Sequence, residues 1–191
     1  TPPVGEEICD LLRVLSGRGV LIFAPPGVGK TTLLRAVAEK MAGGFSPCRV
    51  VLVDAREELA AFPFGAAQSP DILLGYPKGA GISIAVRTLS AELIVCDEIG
   101  GFEMLIPQFR NELAELLNSD APIIGVIKGA ENAEELRASF GLGEKFTMLT
   151  DNLRAVLAND EDTVVIEVKQ RGDETARRIV EAWVKEYADI R

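Results

Sequence analysis

One stretch constrains this chain more than any other: Ala24-Pro25-Pro26-Gly27-Val28-Gly29-Lys30-Thr31-Thr32. It follows an apolar run, Val20-Leu21-Ile22-Phe23, and opens a segment whose Leu33, Leu34, Val37, Ala38 and Met41 share one helical face. A Gly-Lys-Thr placed where a buried strand turns into a helix is the pattern of a phosphate-binding loop. Backbone N–H groups of such a loop converge on a phosphate, and the helix N-terminus adds partial positive charge. Gly29 lets the backbone come close where a Cβ would intrude. Lys30 is placed to reach the β- and γ-phosphates, and the Thr31 hydroxyl to ligate Mg²⁺. The whole stretch from Ala24 through Thr32 is therefore the expected nucleotide-binding segment, with ATP and Mg²⁺ as ligands. Ala24 departs from the usual glycine at the first position of the motif, by the smallest step available.

Further along, Leu93-Ile94-Val95-Cys96 runs into Asp97-Glu98. Ligands of open parallel sheets sit at the carboxyl ends of the strands. Asp97 is thus the second expected Mg²⁺ ligand after Thr31. Glu98, its neighbour, points elsewhere and is the expected base for an attacking water.

The rest of the chain supplies the frame. Runs at 19–23, 49–53, 93–96 and 123–127 are short and continuously aliphatic, as in a parallel sheet covered on both faces. Helical patterns alternate with them, including one through Leu105, Phe109, Leu113, Leu116 and Leu117. This predicts a three-layer α/β/α P-loop domain with a mainly parallel sheet. The run at 49–53 intervenes in sequence between the loop strand and the acid strand, which points to the additional-strand, catalytic-Glu type. Residues 1–191 read as one domain, with a core of about 17–130 and a C-terminal strand and helix in about 140–191. A leading helix is expected at 5–16, mostly loop with at most one helical turn at 62–76, and short helices at 81–89 and 131–139. A strand is expected at 163–168. Ala176, Ile179, Val180, Trp183, Val184 and Tyr187 then predict a final helix, with a hairpin around Arg171-Gly172-Asp173 as the alternative.

Composition narrows the function. The chain has 191 residues, 48% of them hydrophobic, and a net charge of −9 with no basic run beyond Arg177-Arg178. That argues against a nucleic-acid partner. It contains no His, so a His base or His-metal centre is excluded. Three scattered cysteines form neither a disulfide framework nor a zinc site, which suits a reducing cytoplasm. The start, Thr1-Pro2-Pro3-Val4-Gly5-Glu6, is neither basic nor continuously apolar, so no signal peptide is read there. Without an initiating Met, a native region ahead of Thr1 is allowed for.

Secondary site candidates follow from position. Lys128, after the 123–127 strand, is placed to sense the γ-phosphate or is an exposed strand-end lysine. Arg87, on the helix before the acid strand, either stabilises transferred-phosphate charge, across a subunit boundary, or makes a surface salt bridge. Asp54-Ala55-Arg56-Glu57-Glu58 either lines the site or is a solvated helix start. Trp183 and Tyr187 read as packing residues, and Cys96 as a small apolar one.

The segment 19–35 resembles the phosphate-loop region of the stage III sporulation protein AA ATPases. So do Val51-Leu52-Val53-Asp54 onward, Asp71-Ile72-Leu73-Leu74-Gly75-Tyr76-Pro77-Lys78-Gly79-Ala80-Gly81, Ala85-Val86-Arg87-Thr88-Leu89-Ser90 and Asp97-Glu98-Ile99-Gly100. The likeness spans about 4–130. It implies a ring-forming, ATP-hydrolysing engine related to secretion-type ATPases. Its implied partners are further copies of itself and a membrane-channel protein in endospore formation, and its implied place is the cytoplasm at the inner face of the membrane. It carries over Lys30, Thr31, Asp97 and Glu98, and with them Arg87 and Glu103. Ala55 stands where that family usually has Glu, and Lys128-Gly129 where it usually has His-Gly. A second resemblance links Asp97-Glu98-Ile99-Gly100, Glu103-Met104, Ala121-Pro122-Ile123-Ile124 and Leu149-Thr150-Asp151-Asn152 to small nucleoside-triphosphatases related to nucleotide kinases. It implies a stand-alone hydrolase, and a weakly hydrolysing nucleotide-binding scaffold is the third reading.

Overall fold

Strict alternation of side chains along the strands decides the architecture. Val20 and Ile22 of β1 (Gly19–Phe23) enter one apolar cluster, and Leu21 enters another on the opposite face. β2 (Val50–Asp54), β4 (Leu93–Ile99) and β5 (Ile123–Ile127) divide in the same way. Strands buried on both faces require helices on both faces. On one side lie α1 (Lys30–Gly43), through Leu34, Val37 and Met41, and α6 (Glu174–Asp189), through Ile179, Val180 and Trp183. On the other lie α2 (Lys78–Arg87), α3 (Pro107–Leu117) and α5 (Glu144–Asn159), through Ile82, Phe109, Leu113, Phe146 and Leu157. A 3₁₀ turn (Phe102–Leu105), α4 (Ala130–Phe140), β3 (Asp71–Leu74) and β6 (Thr163–Glu167) complete the elements. This computed structural model describes residues 19–25, 27–43, 47–65, 69–168 and 170–189. The helix expected at 5–16 and the loop residue Pro26 lie outside them.

The six strands run in the order β3-β2-β4-β5-β1-β6, with every neighbouring pair parallel. The expected three-layer, parallel P-loop arrangement is what the chain forms. One step of the reasoning needs correction. The strand placed between β1 and β4 is β5, not the 49–53 strand, which as β2 flanks β4 on its far side. The additional strand is therefore real, but it is supplied by a later part of the chain. β6 pairs with β1 along its whole length, so the segment after 140 contributes to the sheet itself.

Three local differences have physical causes. β3 falls within the 62–76 stretch expected to be loop. It is a four-residue edge strand with mostly exposed side chains, so it carries no alternation to read. The helix Glu144–Asn159 had no sequence signal strong enough to assign, because Thr150 occupies a core-facing position. Its hydroxyl is satisfied inside the helix by the carbonyls of Phe146 and Thr147, at 3.2 and 2.9 Å. The segment around Arg171-Gly172-Asp173 is a turn and not a hairpin. Asp173 Oδ1 accepts the N–H groups of Thr175 and Ala176, both at 3.1 Å, and starts α6. Trp183 is buried as expected, whereas the side chain of Tyr187 lies outside the described residues.

Candidate nucleotide site at the carboxyl edge

The loop between β1 and α1 has the geometry its sequence predicts. Gly27 and Gly29 adopt φ of +78° and +96°, which side-chain-bearing residues rarely take. A Cβ built at either would meet nothing within 4 Å, so open space lies over the loop. The glycine requirement at position 29 is thus conformational, and the space above it is free for a ligand. Ala24 is buried in the core beneath the loop, so its methyl packs inward and leaves the phosphate side clear. Lys30 Nζ folds over the loop and donates to the carbonyls of Pro25 at 2.8 Å and Ala24 at 3.4 Å. Val28, Thr31 and Thr32 sit at the start of α1, whose first turn carries no acid. An uncompensated helix N-terminus of this kind favours an anion.

The acid pair lies two strands away, about 10 Å across the sheet. β4 does not end before the acids, as the aliphatic run suggested; it passes through them. The pairing of β4 with β5 jumps from Cys96–Gly125 to Ile99–Ile127, so Asp97 and Glu98 together oppose the single residue Val126. Such a bulge re-aims side chains at a sheet edge. Gly125 makes the close pairing feasible, since a Cβ there would sit 2.7 Å from the Cys96 carbonyl oxygen. Glu98 takes φ of +50°, a left-handed conformation costing a non-glycine residue about 1–3 kcal/mol unless its surroundings enforce it.

Those surroundings are cationic. Glu98 Oε2 accepts Lys128 Nζ at 2.9 Å and Arg56 Nη1 at 2.5 Å. Lys78 Nζ donates to the Glu98 carbonyl and, at 3.0 Å, to Glu103 Oε1. Glu103 Oε1 also accepts the N–H groups of Gly100 and Gly101, at 3.2 and 3.1 Å. Burial pushes the Glu98 carboxyl up, but the Lys128 hydrogen bond and the charges of Lys128, Arg56 and Lys78 outweigh it and hold the carboxyl below its usual range. Asp97 is the opposite case. It is 7% exposed, and its Oδ1 is buried with no hydrogen-bond partner among the described residues. Burial first, and then the Glu98 charge, push its carboxyl above the ordinary 3.8. Next to it, burial pushes the Cys96 thiol up to about 12, which makes it an inert core residue.

A carboxylate oxygen buried with no hydrogen-bond partner among the described residues suits a cation ligand. No cluster of three or more metal-ligating side chains exists among the described residues. Mg²⁺ binds through one or two protein groups plus substrate phosphates and water, a donor set that Asp97 fits. A prediction follows for the nucleotide-free protein. A carboxyl whose folded pKa is raised loses stability as pH climbs through that value. Asp97→Asn is therefore expected to raise the melting temperature at neutral pH, by on the order of 1 kcal/mol of stability. The gain should shrink below the ordinary 3.8, where both states are protonated. Thermal denaturation across pH checks this, and an equal effect at every pH would contradict it.

The structure brings the expected residues together unevenly. Lys128 reaches Glu98 directly. Asp97 and Glu98 share the sheet edge with the loop that carries Lys30, Thr31 and Thr32. Arg87 is not brought to this edge. It lies in the last turn of α2, about 14 Å along the axis from Lys78, and pairs there with Glu112 at 3.5 Å and with Glu115. The turn after β2 divides: Asp54 is buried and accepts the Glu58 and Ala60 N–H groups, at 3.0 and 2.8 Å, while Arg56 enters the site. Arg56 belongs to the 54–58 stretch that the sequence left open between site lining and a solvated helix start, and it takes the first role, whereas Lys78 is a site residue the sequence reading did not single out. For Arg56 the available signal was its place two residues past the carboxyl end of β2. Lys78 offered none, because only the approach of α2 to the bulge carries it there.

The sporulation stage III protein AA family model matches residues 7–163. The stage III sporulation protein AA of Bacillus subtilis is 34% identical over 108 residues, which are 52% of this chain and 35% of that protein. The chain thus spans about a third of that relative. The nucleoside-triphosphatase THEP1 of Methanosarcina acetivorans is 27% identical over 132 residues, 56% of this chain and 74% of that one. Among solved structures, the VirB11 ATPase of the Brucella suis type IV secretion system in complex with sulphate aligns over 86% of this chain and 49% of its own. Its TM-score is 0.48, at 18% identity. With well over half of its length matched by the family model, the chain belongs to the sporulation stage III protein AA family.

Proposed function

We propose that this chain binds ATP with Mg²⁺ and hydrolyses it to ADP and phosphate. One observation carries the reading: the buried, unpartnered Asp97 Oδ1 shares a sheet edge with an open glycine loop at an acid-free helix N-terminus. In this reading the N–H groups of residues 27–32 cradle the phosphates, and Lys30 leaves the Pro25 and Ala24 carbonyls for the β- and γ-phosphate oxygens. Thr31 and Asp97 hold Mg²⁺, which when bound neutralises charge on the phosphate oxygens. Glu98 accepts a proton from water as the water oxygen bonds to the γ-phosphorus. The bond from that phosphorus to the bridging oxygen breaks, and ADP leaves with the electron pair. Lys128 and Arg56, now paired with Glu98, supply positive charge to the γ-phosphate and free the carboxylate to act as base. Glu103 acts through Lys78, fixing the main chain at Glu98.

We read residues 1–191 as one such domain, working in a ring of copies that energises a sporulation- or secretion-like assembly with a membrane-channel partner, at the cytoplasmic face of the membrane. No helix among the described residues is long and apolar enough to cross a membrane. In a ring, Arg87 is available to a neighbouring copy. Similarity to the THEP1 nucleoside-triphosphatases supports a second reading, a stand-alone hydrolase. Phosphate release from ATP, measured against protein concentration with Mg²⁺ and with a chelator in its place, tests both. Turnover per chain that rises with concentration supports the ring, and constant turnover supports the stand-alone enzyme. Chelation should abolish release in either case. Release that persists undiminished without a divalent ion contradicts the role given to Asp97 and Thr31.

A further inference from the structure

The phosphate loop accounts for one end of a nucleotide only. Because β6 pairs with β1, the chain leaving β6 emerges beside the loop, and Val168 N–H donates to the Phe23 carbonyl at 2.7 Å. Two cavities open at this junction. One, of about 170 Å³, lies between Gly29, Lys30 and Leu33 on the loop side and Val168, Gly172 and Asp173 on the other. The second, of about 450 Å³, continues between α1 and α6 past Ala36 to Val184. Val28, Gly29, Leu33 and Arg177 line both, so they form one cleft leading away from the loop amides. Its size falls within the ~300–1,000 Å³ usual for small-molecule sites.

We infer that this cleft holds the base and ribose of the bound triphosphate, with the turn at 170–177 as the recognition element. The inference rests on the triphosphate reading of the loop. The α1 wall is aliphatic, through the half-buried Val28 and Leu33. The α6 wall presents Arg177, steadied by Glu181 at 3.0 Å and Glu174 at 3.6 Å, yet 60% exposed. A planar guanidinium opposite an aliphatic wall is a stacking surface for a flat aromatic base. Glu181, Asp173 and Glu174 add carboxylate acceptors to the lining. Acceptors of this kind favour a base bearing an amino group, as the adenine of ATP does.

The test uses calorimetric binding of ATP, GTP and inorganic tripolyphosphate to the wild type, Arg177→Ala and Ala36→Phe. Both positions are exposed on helices, so the fold tolerates either change. The wild type should bind a purine triphosphate more tightly than tripolyphosphate. Each variant should lose about tenfold in nucleotide affinity, the value of one stacking contact or one filled cleft, with tripolyphosphate unchanged. Equal wild-type affinity for nucleotide and tripolyphosphate overturns the cleft and leaves the phosphate loop intact. Unchanged nucleotide affinity in the variants does the same, as does parallel loss of both ligands. A wild type that binds neither ligand overturns the function proposed for the loop, and this inference with it.

Discussion

Glu98→Gln is expected to lower ATP turnover by about 10²–10⁴-fold while leaving nucleotide binding in place, the usual contribution of a positioned general base. The structure makes this a demanding test. Glu98 is clamped by Lys128 and Arg56, and its carboxyl is held below its usual range. A glutamine keeps the shape and one acceptor oxygen but takes up no proton from water. It also leaves two cations facing a neutral group, so the melting temperature must be recorded alongside. Single-turnover phosphate release on chain already loaded with nucleotide separates chemistry from binding. If the two proteins release phosphate at the same rate, Glu98 is not the base, and the weakly hydrolysing scaffold becomes the better account.

Lys30→Ala should weaken triphosphate affinity by on the order of 100-fold, through loss of charge-assisted hydrogen bonds worth about 1.5–3 kcal/mol each. The fold should be indifferent. Lys30 opens α1, where alanine is the better helix former, and among the described residues its ammonium bonds to the Pro25 and Ala24 carbonyls. Calorimetry on the variant, with circular dichroism to confirm its helix content, gives the answer. Unaltered affinity would remove the basis for assigning this loop to a nucleotide.

The two variants probe separate parts of one edge. The first concerns the bulge in β4, the second the turn after β1, and β5 lies between them. Effects on binding and on turnover should therefore divide between them, binding with Lys30 and the chemical step with Glu98. A loss of binding in both would mean that the ionic cluster at Glu98 supports the loop as well as the chemistry.

What could be read from the residues alone was local. The phosphate loop was legible because its glycines answer to backbone conformation and its lysine to charge, both carried by a few consecutive residues. The strands of the sheet interior were legible because burial on two faces demands an unbroken aliphatic run. The edge strand β3 and the helix Glu144–Asn159 were not, since the first turns only Leu73 toward the core and the second places a threonine inward. Strand order was legible only in type. An additional strand was expected from the 49–53 run, but that β5 and not that run lies between β1 and β4 is a matter of long-range pairing. The same holds for the chemistry. The sequence by itself determined that a strand-to-helix glycine loop ending in a lysine and an acid pair exist. Only the tertiary structure decided that Glu98 sits on a bulge facing Arg56 and Lys128, that Arg87 stays away from that edge, and that β6 delivers a cleft beside the loop. The physical reason is that loop conformation is set by neighbours in the chain, whereas ion pairs and clefts are set by which distant segments the sheet brings side by side.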